Sequence, residues 1–92
     1  MSDINNLATI ESNSTPQIKT GLGRLVRVCV NTKGAASNVL TLYDGTGVTG
    51  TLLATIDTTD RVGHIDYDVP FKTGLYAVLA TGTAAKVTIV YG

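Results

Sequence analysis

The chain has 92 residues, 43% of them hydrophobic, with seven basic and seven acidic side chains that cancel. That length suits one domain with one core. The charge balance removes the basic surplus that nucleic-acid binders use to displace counterions, and no apolar run approaches membrane-spanning length.

Met1 to Thr15 is polar, with Ile4, Leu7 and Ile10 spaced through it. Asn5, Asn6 and Thr9 are poor helix formers, so residues 1–15 read as an extended N-terminal arm with a short strand near Leu7 to Glu11. The arm is either a loosely held terminus or a segment that docks on a partner. Its opening residues lack a basic stretch followed by an apolar core, so no secretory signal is expected. Pro16 opens the domain proper, 16–92, with a short extended piece at Gln17 to Thr20 that Gly21 and Gly23 interrupt. Arg24 to Asn31, RLVRVCVN, sets Val26, Val28 and Val30 on one face and Leu25, Arg27 and Cys29 on the other. A strand apolar on both faces belongs in the middle of a sheet. Residues 32–38 form a loop by composition.

Val39 to Asp57, VLTLYDGTGVTGTLLATID, is predicted as a β-hairpin. Leu40 and Leu42 alternate with Val39, Thr41 and Tyr43, and Leu52, Ala54 and Ile56 alternate with Leu53, Thr55 and Asp57. Three glycines between Asp44 and Gly50 supply the turn. In Arg61 to Val69, Ile65, Tyr67 and Val69 oppose His64, Asp66 and Asp68. Pro70 lacks an N–H and ends this strand or places it at an edge. Leu75 to Thr81 and Ala85 to Tyr91 then read as a last hairpin reversed at Gly82-Thr83. Thr and Gly are plentiful, and one Phe, four Tyr and no Trp leave an aliphatic core. The fold class is all-β: a single compact antiparallel β-sandwich or jelly roll of about seven to eight strands. Small side chains favour two thin packed sheets over a ligand-holding barrel.

No catalytic, cofactor-binding or metal-binding set is predicted. His64, Asp66 and Asp68 share a strand face at about 7 Å spacing, which describes a wet face as well as a cation site. A Cys29–His64 thiolate pair lacks the turn and oxyanion donors it would need, and Cys29 reads as a buried, inert thiol. One cysteine also excludes an intrachain disulfide. The Gly45 to Gly50 loop leads into a strand and lacks the Lys-Ser/Thr of a phosphate cradle. It reads as a turn whose tip is free to touch a partner. Tyr43 and Tyr76 are the rings with the best chance of exposure, whereas Tyr67 reads as core.

The strings LYDGTGVTGTLLATID, GHIDYDVPFKTGLY and KVTIVYG resemble patterns in small tailed-bacteriophage virion proteins. The resemblance spans residues 24–92. It implies a β-sandwich built into a phage particle, made in the host cytoplasm and localised to the virion, and first of all a capsid decoration (cement) protein. The partners so implied are the major capsid protein or another virion protein. Symmetric capsid sites add a homo-oligomer, dimer or trimer. The alternative is a carbohydrate- or peptide-binding β-sandwich module of a phage neck, tail or fibre. On either reading the protein is not an enzyme and needs no cofactor, nucleic acid or membrane. The candidate partner-binding residues are Ile4, Leu7, Ile10, Tyr43, Thr46, Val48 and Tyr76.

Overall fold

A computed structural model describes residues 6–92. Among them are eight strands and no helix: β1 Asn6–Ile10, β2 Gln17–Thr20, β3 Gly23–Thr32, β4 Val39–Asp44, β5 Thr51–Asp57, β6 Gly63–Phe71, β7 Gly74–Ala80 and β8 Lys86–Tyr91. They form two four-stranded sheets, ordered β1-β8-β3-β6 and β2-β7-β4-β5. Every pairing is antiparallel. The inner faces meet in an aliphatic layer in which Leu25, Val28, Val87 and Ile89 of one sheet face Leu40, Leu42, Leu75 and Leu79 of the other, all at most 1% exposed. Phe71 closes one end of this layer. Burial of each such side chain contributes about 1.5–3 kcal/mol.

β3 lies between β8 and β6, as its two apolar faces require. β6 is an edge strand, and so tolerates Pro70. The strand expected near Leu7 is β1, and it is paired with β8 of the same chain. The described part of the arm is thus docked at home. Ile4 lies outside the described residues.

Three details depart from the sequence reading. β7 and β8 are not a hairpin: they belong to opposite sheets, and the chain crosses between them at 81–85. β4–β5 is the one pair of consecutive strands that share a sheet. Val26 does not share a face with Val28 and Val30, because a bulge there leaves it unpaired while Leu25 pairs with Tyr91 and Arg27 with Val90. The extra residue rotates the strand, so Leu25 joins Val28 and Val30 in the core. A second bulge at Leu53 pairs Tyr43 with Leu52 and Leu42 with Ala54. Ala54 and Ile56 stay inside, but Leu52 turns outward and is 56% exposed.

Antiparallel order gathers the connections at two ends. One end carries the β2–β3, β4–β5 and β6–β7 links, and the other carries β1–β2, β3–β4, β5–β6 and β7–β8.

Candidate interaction surface

The first end is organised by Asp44, the last residue of β4. Its carboxylate accepts hydrogen bonds from the backbone N–H groups of Lys72 (3.0 Å), Thr73 (2.8 Å) and Gly74 (3.3 Å). These donors, Lys72 first and Thr73 next, hold the Asp44 carboxyl below its ordinary value. The Gln17 amide reaches the carbonyls of Lys19, Gly45 and Leu75 at 2.8–3.1 Å. Gly45 N–H donates to Gly74 O, and Gly21 N–H to Thr73 O. The β4–β5 turn closes tightly enough that a side chain at Gly50 would collide with the Asp44 carbonyl. Three turns are thereby stapled to one another.

Two of these turns display an aliphatic side chain at the tip, and the third, β6–β7, displays Lys72 and Thr73. Leu22 is 74% exposed and Val48 is 60% exposed, each at the tip of a turn. Leu52, where β5 leaves the turn, and Leu7 on β1, whose start pairs with Tyr91, are exposed at the same end. Of the five large exposed aliphatics among the described residues, Val62 alone sits at the other end. Tyr43 and Tyr76 are cross-strand partners on the outer face just below the turns. Both are half-buried. The outer face around them carries Val39, Thr41, Thr55, Val78 and Ala80, with the charge of Asp57 opposite Val39 at its far end.

Leu7, Tyr43, Thr46, Val48 and Tyr76 are therefore brought to one end. Ile10 is not: at 5% exposure it belongs to the core, because alternation along β1 turns Ile10 inward while Leu7 stays out. The sequence reading missed Leu22, which the flanking Gly21 and Gly23 marked as a mere interruption. A lone Leu between two glycines was its signal, since a tight turn cannot bury it.

The chemical candidates disperse. Asp66 is paired with Arg27 at 3.4 Å and Asp68 with Arg24 at 3.0 Å, in exposed ion pairs of small energetic weight. Asp68 has a φ of 54° at an irregularity in the β3–β6 pairing, and His64, Asp66 and Asp68 all lie on the exposed side of β6, alternating with half-buried Ile65, Tyr67 and Val69. No cluster of three or more His, Cys, Asp or Glu side chains suited to a metal occurs among the described residues. His64 lies directly across from Cys29, which is half-buried rather than buried because it shares the outer face of β3 with Arg27. Among the described residues no hydrogen bond joins them and no third group orients the imidazole. Tyr67 packs against the core from β6.

No family model matches the chain, and no curated protein matches it. Among solved structures it is similar to the crystal structure of Drosophila NLP-core, described in terms of pentamer formation and histone binding. The two share a TM-score of 0.59 and 11% identity, over 98% of this chain and 97% of that one. At that identity the likeness is one of fold.

Proposed function

We propose that the protein is a non-enzymatic structural component of a phage virion, a capsid decoration (cement) protein that docks by its Asp44 end. One observation carries the docking reading: exposed aliphatics are collected at one end, on turns stapled to each other by Asp44 and Gln17. Rigid apolar tips lose little entropy on binding, and interface centres are poor in charge and rich in aromatic side chains. The virion assignment draws on the LYDG and YDVPF resemblance. The strand order adds support, since four-stranded antiparallel sheets ordered β1-β8-β3-β6 and β2-β7-β4-β5 are compatible with an eight-stranded jelly roll, an architecture found in viral capsid domains. A homo-oligomer would present several such ends to a capsid at once. The description of the NLP core in terms of pentamer formation is consistent with self-association of this fold.

The test adds purified protein to undecorated heads of the encoding phage. Saturable, stoichiometric binding that raises the heat resistance of the heads is expected. Leu22→Asp and Val48→Asp should each weaken that binding with an unchanged circular dichroism spectrum. Heads that bind both variants as well as the parent would overturn docking by this end.

A further inference from the structure

A cleft of ≈ 260 Å³ opens along the seam between the two sheets, where edge strand β5 faces edge strand β6. Ile56 and Ile65 line it from the two sheets, with the Tyr67 ring. Asp57 at the end of β5, and Asp60 and Arg61 in the following link, complete its polar wall. We infer that this cleft is a binding site for one pyranose ring of a saccharide, a site independent of the docking end.

The inference rests on the mixture of groups. Asp57 has one carboxylate oxygen engaged by Thr59, whose N–H and hydroxyl both donate to Oδ1 at 3.0 and 2.6 Å. That bond pattern fixes the carboxylate and leaves Oδ2 open as an acceptor. Arg61 is held only loosely, 3.9 Å from Asp60, so its guanidinium retains free donors. The Tyr67 phenol adds an O–H. Desolvation, partly offset by Arg61, raises its pKa and keeps that proton in place. Donors and acceptors alternating around an apolar floor suit vicinal hydroxyls, which donate and accept at once, above a C–H face that rests on Tyr67. A bare cation would meet Arg61, and a bare anion would meet two carboxylates. The volume falls just below the range of roughly 300–1,000 Å³ typical of drug-sized ligands, which limits the occupant to a single ring.

The experiment follows backbone amide NMR signals while methyl α-glucopyranoside, methyl α-mannopyranoside, methyl β-galactopyranoside and N-acetylglucosamine are each titrated into the full chain. At least one should give saturable millimolar shifts confined to residues 55–67. Arg61→Gln and Tyr67→Phe should each weaken that binding by about three- to tenfold, as loss of one hydrogen bond predicts. Absence of saturable shifts with all four sugars overturns the site. So does binding unchanged in both variants. Shifts of the same amides by N-acetyl-lysine methylamide alone would mark a cation pocket and overturn it too. None of these outcomes touches capsid binding, which the Leu22 and Val48 variants report separately.

Discussion

The two ends of the sandwich solve one problem with different chemistry. Each must hold several crossing links against one another. At the first end a carboxylate does so from the rim, collecting backbone N–H groups from the β6–β7 turn. At the second a carboxamide does so from inside. Asn38 is fully buried: its Oδ1 accepts from Thr58 Oγ1 at 2.7 Å and from Ala85 N–H at 3.0 Å. Its Nδ2 lies within reach of Ala80 O, Thr81 O and Asn13 Oδ1. One neutral side chain thus ties all four links of that end together. The same end holds Ala36, Ser37 and Thr81 at positive φ, a conformation costing about 1–2 kcal/mol per residue. The surfaces differ in the same sense. Glu11, Lys33, Asp57, Asp60, Arg61 and Lys86 crowd the Asn38 end with one exposed aliphatic, Val62, whereas the Asp44 end sets the aliphatic tips beside Lys72 and the Arg24–Asp68 pair. A buried neutral clamp serves permanence, and a rim clamp leaves a presentable surface above it.

The sharpest way to break this contrast is Asn38→Ala. It leaves the Ala85 N–H and the Thr81 carbonyl without their buried partner, while the Thr58 hydroxyl falls back on the Asn38 backbone carbonyl, and should cost about 2–4 kcal/mol in urea unfolding. Gly34→Ala attacks the same clamp from outside, since its Cβ would sit 2.6 Å from both Asn38 Oδ1 and Thr58 Oγ1. A loss of about 1–3 kcal/mol is expected, seen as a lower Tm. Asp44→Ala should cost less, about 1–2 kcal/mol, because the freed N–H groups are near water.

The two clamps also separate by pH. Asp44 titrates below its ordinary value of 3.8 when folded. Its contribution is therefore complete above that value and is lost as pH falls through the lower folded one. Asp57, lowered chiefly by the Thr59 hydroxyl, acts in the same direction. Acid titration of stability should flatten in part in Asp44→Asn and be unchanged in slope by Gly34→Ala. The smallest effect on folding, within about 0.5 kcal/mol, is expected for Val48→Asp. A large destabilisation there would show that the apolar tips are core and not display.

Strand content was readable because aliphatic residues alternate so regularly on either side of glycine turns. The β4–β5 hairpin was readable for the same reason. The crossing from β7 to β8 was not, since Thr81-Gly82-Thr83 has the composition of any reversal. What sends the chain to the other sheet is the bridge of Ala35 to Thr83 and the grip of Asn38 on Thr81 and Ala85. Those contacts join residues more than forty positions apart. The bulges at Val26 and Leu53 carry no glycine to announce them. Val48, Thr46 and the two tyrosines could be proposed from their place beside the turn. Their gathering with Leu22 and Leu7 depends on strand order, which local periodicity does not encode. Asn38 looked like one more polar residue in a loop.

β8 lies between β1 and β3, and this has a consequence for biogenesis. On the ribosome, the first and third strands must wait with open edges until the eighth emerges, so this sheet closes only once β8 is made. Such non-local order slows folding toward the millisecond-to-second range and leaves a window for mispairing with sister chains. Where many copies are produced together, the speed with which β8 slots into place would set the yield of usable protein.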